Sequence, residues 1–142
     1  MGTKIKVGDL IAIPSGAYVG LAKVIYVSSY FRQVVLLKLY RVAFQEQERH
    51  FPCAEASANL YYTSSGPIFT GRWTVTGFEP MSECECLLSR RIVASDIWVG
   101  DECLGQASEH DLETLPKMLV YGFKLIEKAV ARLAEVQNSS KT

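Results

Sequence analysis

The chain is poor in the residues that staple, ligate or catalyse. Its 142 residues hold four cysteines and two histidines. So sparse a thiol set argues against a disulfide-built secreted scaffold and fits reduced, mostly buried thiols in a cytoplasmic protein. No apolar run approaches a bilayer's thickness, since the longest, such as Val34-Val35-Leu36-Leu37, spans only a few residues. The N-terminal Met1-Gly2-Thr3-Lys4 leads straight into a strand pattern, without the apolar core of a signal peptide. Net charge is absent too: 15 basic residues balance 15 acidic ones, which disfavours a dedicated phosphate-binding domain. Phosphate-cradling glycine loops and nucleophile elbows are also missing.

Metal and acid–base chemistry find little support. Cys84-Glu85-Cys86 has a single intervening residue, whereas zinc pairs are usually separated by about two to four. On a strand Cys84 and Cys86 would share a face, and Cys103 with His110 would complete four ligands, but no second paired motif exists. Both His50 and His110 lie in polar segments, and their spacing suggests no general acid–base pair. No catalytic residue, metal site or cofactor is expected, and the protein is read as a non-enzyme.

What the chain does have is ordinary globular composition, 49% hydrophobic and 21% charged, enough for one domain with a real core. Lys4 to Ile13 reads as a strand halted by Pro14, and Ser15-Gly16 as a turn. Ala17 to Val27 alternates, with Tyr18, Gly20, Ala22, Val24 and Tyr26 on one face and Val19, Leu21, Ile25 and Val27 on the other. Both faces are largely apolar, as in a strand covered on two sides. Tyr30 to Phe44 is rich in β-branched and aromatic residues and reads as a strand, Gln45 to His50 as a polar connector, and Asn59 to Thr63 as a short strand. Ser64 to Pro67 reads as a turn leading through Ile68-Phe69 into a Gly71 to Gly77 strand with Trp73 as a core plug. Cys84 to Val93 and Ile97-Trp98-Val99 complete a β-rich region over 4–99. Leu115, Leu119, Gly122, Ile126, Ala129, Leu133 and Val136 recur by fours and threes, predicting an amphipathic helix over about 115–136. Lys124, Lys128 and Arg132 would lie on its polar side, and Gly122 would touch a strand. The expected class is α+β: one domain over 1–142, a curved antiparallel sheet or partly open barrel with this C-terminal helix packed against it.

Two segments carry a resemblance. Gly8-Asp9-Leu10-Ile11-Ala12-Ile13-Pro14 and Gly71-Arg72-Trp73-Thr74-Val75-Thr76-Gly77-Phe78-Glu79-Pro80-Met81 resemble the strand motifs of the immunity protein 26 family, with Met81 where a leucine is usual. The resemblance covers roughly the first 80 residues. It implies a cytoplasmic antidote of a bacterial polymorphic-toxin or contact-dependent growth-inhibition system. Such a protein neutralises a cognate C-terminal toxin domain by non-catalytic binding, without membrane or direct nucleic acid. Gly8, Asp9, Pro14, Gly71, Arg72, Trp73 and Gly77 match the pattern as fold-defining residues.

Charge is sorted along the chain. Residues 1–50 carry seven basic residues against three acids, while residues 79–113 carry nine acids against Arg90 and Arg91. An acidic block suits a basic partner, and a nuclease toxin's phosphate-binding site is one. The expected toxin-binding residues are Glu83, Glu85, Asp96, Trp98, Asp101 and Glu102, with Trp98 open to two readings, a buried core residue or an aromatic anchor of the interface. The alternative is a β-barrel module that binds nucleic acid with the basic half. Lys4, Lys6, Lys23, Arg32, Lys38 and Arg41 would follow phosphates, and Tyr18, Tyr26, Tyr30 and Tyr40 would stack bases.

Overall fold

The computed structural model describes residues 5–28, 33–45 and 58–140. Elements run in the order β1 (Asp9–Ser15), β2 (Tyr18–Val27), β3 (Val34–Gln45), β4 (Ala58–Ser64), α1 (Gly66–Thr70), β5 (Thr74–Phe78), α2 (Glu83–Cys86), β6 (Arg91–Val93), β7 (Asp96–Val99), β8 (Glu102–Gln106), α3 (Glu109–Thr114), β9 (Val120–Tyr121) and α4 (Phe123–Ser140). The class is α+β, as expected. A six-stranded sheet of order β5-β1-β2-β3-β4-β9 stays open, α4 packs on it, and β6-β7-β8 form a second small sheet. All pairs in the large sheet are antiparallel except β4 with β9, a parallel two-residue contact the sequence did not suggest.

The α4 face is apolar. Ile11, Ile13, Ala22, Val24, Val35, Leu37 and Leu39 meet Ile126, Val130 and Ala134 of the helix, with Ile68 and Trp73 closing one side. Gly20 sits directly beneath α4, where an added Cβ would lie 2.5 Å from Val130 Cγ2. The close helix–strand approach is therefore made at Gly20 and not at Gly122, which has open space around it.

Several expected boundaries shift, each for a local reason. β1 continues through Pro14 to Ser15, because β5 flanks β1 only from Asp9 to Ala12 and Pro14 faces β2 alone. Tyr26 lies on the opposite face from Ala22 and Val24. A bulge between Val24 and Tyr26 against the single step from Leu37 to Leu36 inverts the alternation. Ser65 begins a helical turn, with Pro67 in its first positions and Gly71 closing it at φ +88°, so Ile68 and Phe69 belong to α1.

The largest correction concerns the C-terminal third. The expected helix over 115–136 is helical only from Phe123, as α4, and its first part holds β9 instead. Ser108 and Asp111 form a reciprocal capping box that starts α3, which ends at Thr114, and α4 begins only at Phe123. Leu115 and Leu119 thus leave the helical stripe, and Leu119 is 58% exposed. Ile126, Ala129 and Leu133 do line the core side, and Lys124, Lys128 and Arg132 are exposed. The side chain of Val136, the connector at 46–50, Cys53, Lys4, Tyr30, Arg32 and the side chain of Arg41 lie outside what is described.

Candidate functional site

The second face of the sheet sets two lysines among its apolar side chains. Lys23, on β2 between Leu21 and Ile25, points away from α4 and is wholly buried. Its ammonium donates to Glu85 Oε1 at 2.8 Å and to the Pro80 carbonyl at 2.9 Å, and lies 3.6 Å from Glu79. Lys38, its neighbour on β3, donates to Glu85 Oε2 at 3.1 Å. The carboxylate of Glu85 thus bridges two strands.

Glu85 reaches that position through a capping box. Its backbone N–H donates to Ser82 Oγ at 3.1 Å, and its Oε1 accepts from the Ser82 N–H at 2.9 Å, which starts α2. Burial pushes its pKa up, but donation from Lys23, the Ser82 backbone and Lys38 wins and brings the group down to about 2. The Ser82-x-x-Glu85 signature was visible in the sequence and contradicts the strand expected over Cys84 to Val93. On a helix Cys84 and Cys86 diverge, which removes the shared face the zinc argument needed. Among the described residues no three His, Cys, Asp or Glu side chains gather as a metal site would require.

A second anchor holds the small sheet. Arg91 of β6 is buried between the rings of Tyr26 and Tyr62, with its guanidinium carbon 5.3 Å from each centroid. It donates to the carbonyls of Ser89 at 3.0 Å and Gly100 at 2.7 Å, while the Gly100 N–H donates to Ser89 Oγ at 2.9 Å. Burial raises the Tyr62 phenol to about 12 despite the opposing pull of Arg91. Asp101 accepts hydrogen bonds from Tyr26 Oη and Ser28 Oγ, tying the β7–β8 turn to the end of β2.

These anchors sort the six expected binding residues. Glu85 faces inward, 4% exposed, and is corrected from a surface contact to a structural ion bridge. Asp101 is half-buried, with its carboxylate committed to two hydroxyls. Asp96 and Trp98 are half-buried on β7, Trp98 between Arg91 and Cys103 in the ladder. Glu83 on α2 and Glu102 on β8 are exposed. The hairpin places Asp96 at one end of β7 and Asp101 with Glu102 at the other, so the six do not converge on one point. Exposed carboxylates that the expectation passed over lie on α3, at Glu109 and Glu113. Leu87, Leu104 and Leu112 are exposed apolar side chains of the same stretch.

The residues of the family-like motifs answer to the fold. Gly8 adopts φ +96°, and a Cβ there would stand 2.6 Å from the Phe78 ring. Asp9 is buried and accepts from the Lys6 N–H at 2.9 Å, closing the turn before β1. Arg72 grips Glu127 of α4 with two hydrogen bonds, at 2.8 and 2.9 Å, and the buried Trp73 indole donates to the same carboxylate at 2.9 Å. Donation from Arg72, helped by Trp73, holds Glu127 below the usual carboxylate range against its burial. Trp73 is the core plug expected of it.

The nucleic-acid alternative loses much of its surface. Lys23, Tyr26 and Tyr40 are buried, and Lys38 is engaged by Glu85. Compared with known proteins, the chain matches no family model, no curated protein and no solved structure.

Proposed function

We propose that the protein is an immunity protein that binds a cognate bacterial toxin domain in the cytoplasm and neutralises it without catalysis. The observation that carries this reading is the surface of residues 79–114. This segment rides over the sheet's second face on two buried anchors, at Glu85 and Arg91. It turns outward the carboxylates of Glu83, Glu102, Glu109 and Glu113 together with Leu87, Leu104 and Leu112. Exposed acids around apolar side chains suit a basic partner, because charge speeds encounter and buried apolar contacts slow release. A nuclease toxin, whose site binds phosphates, is the partner class this favours.

The test starts with co-purification from the native cells to obtain the partner. Association kinetics then follow for the wild type and for Glu83→Lys with Glu102→Lys, at low and high salt. Slower association in the charge-reversed variant, and slower wild-type association at high salt, are expected. Unchanged rates and affinity in every acidic variant would remove this surface from the interface.

A further inference from the structure

On the opposite side of the molecule, α4 and the sheet edge leave a groove of about 390 Å³ that the toxin-binding reading does not use. Leu39, Ala129 and Leu133 contribute apolar lining, and Tyr61 and the half-exposed Leu125 add to it. Positions 125, 128, 129, 132 and 133 fall on one side of a helix by their spacing, adjacent to the stripe of Ile126, Val130 and Ala134 that enters the core. The groove is therefore a consequence of how the helix seats. Two of its lining residues, Lys128 and Arg132, are cations one turn apart. Among the described residues neither makes an ion pair or hydrogen bond, and none of those lining the groove is an acid.

We propose that this groove is a binding site for a small amphiphilic anion, an apolar body carrying a carboxylate. The body would displace water from the exposed parts of Tyr61, Leu125, Ala129 and Leu133. The head group would lie across Lys128 and Arg132, where guanidinium geometry suits a planar carboxylate. The volume falls at the low end of small-molecule sites, which range over roughly 300–1,000 Å³, so a compact medium-chain or aromatic acid fits better than a long lipid. The unanswered pair of cations, with no carboxylate among the described lining residues, selects an anion over a neutral or cationic ligand.

The test is a titration of the full chain with decanoate, below its micelle threshold, followed by amide NMR shifts. Decanol and acetate serve as the body-only and head-only controls. Saturable shifts confined to Leu125, Ala129, Leu133 and their neighbours are expected, with decanol and acetate each about tenfold weaker or worse. In Lys128→Glu with Arg132→Glu, decanoate affinity should fall by about tenfold, the equivalent of one lost charge-assisted contact. Both positions are exposed, so the variant should keep its fold, and a wild-type thermal transition would verify that. Shifts spread over the whole surface, equal binding of decanol, or unchanged affinity in the double variant would each overturn the proposal.

Discussion

Replacing Glu85 by glutamine tests the sheet's second face directly. In the wild type its carboxylate answers two lysines, one of them with no exposed side-chain surface. Removing one partner of a buried pair typically costs about 3–5 kcal/mol, because the remaining charge stays out of water. Two features pull the figure toward the lower end. Glu79 stands 3.6 Å from Lys23 and can share its charge, and Lys38 retains some solvent contact. The depressed carboxyl leads to a similar figure. A carboxyl that moves from 4.5 to about 2 on folding contributes about 3 kcal/mol at neutral pH. Its folded pKa is depressed, so that contribution is full above pH 4.5 and vanishes as pH falls toward 2. The wild type should therefore exceed Glu85→Gln by about 3 kcal/mol at pH 7 in urea denaturation, and the two should converge as pH falls through that window. Adding Lys23→Met to Glu85→Leu should recover most of the loss, since an apolar pair leaves no ammonium buried. A gap below about 1 kcal/mol at pH 7, or one that persists undiminished near pH 2, would refute the ion-bridge account.

Other perturbations separate buried from superficial roles. Ile126→Ala should cost about 2–5 kcal/mol in chemical denaturation, whereas Leu119→Ala should stay within about 0.5 kcal/mol; equal costs would put Leu119 back on the core stripe. Gly20→Ala should lose about 1–3 kcal/mol through overpacking against Val130, and a neutral result would mean α4 sits farther from β2. Glu127→Ala should cost about 1–3 kcal/mol by leaving the buried Trp73 N–H without its acceptor. Arg72→Ala, at a half-exposed side chain, should cost less than Glu127→Ala, and the reverse order would assign the anchoring to the arginine.

The strands that build the large sheet were legible because their chemistry is local. β2, β3 and β4 announce themselves by β-branched and aromatic runs between turn residues, and the amphipathic character of α4 by its stripe. What stayed hidden depends on partners distant in the chain. The bulge beside Ile25 that swaps Tyr26 to the other face is set by pairing with β3, and no feature of 18–27 alone encodes it. The helix boundary was misplaced because Leu115 and Leu119 fit a period that the chain interrupts with Pro116 and the short β9. A lysine at position 23 looked like a surface cation because its counter-ion lies 62 residues away. By contrast, Ser82 with Glu85, and Ser108 with Asp111, were readable start signals, and either would have shown that the acidic stretch is partly helical.

The acidic block and the basic half are best understood together. A balance of charge across 79–113 and 1–50 looked like two surfaces for two partners, and part of each is spent on the other. Glu85 answers Lys23 and Lys38, while Asp101 is held by the phenol of Tyr26, one of the tyrosines proposed as a base-stacking residue. The residues that pair internally fix the appended segment on the sheet, and the exposed acids among the rest, Glu83, Glu102, Glu109 and Glu113, are the ones the toxin-binding proposal assigns to a partner. The family-like motifs speak to the other half of the molecule. Gly8, Asp9, Gly71, Arg72 and Trp73 serve turns and the grip on Glu127, so their presence constrains how the β region folds around α4. On the toxin-binding reading proposed above, partner choice would reside in residues 82–114, beyond those motifs, where the outward acids and leucines could change while Glu85 and Arg91 keep the segment seated.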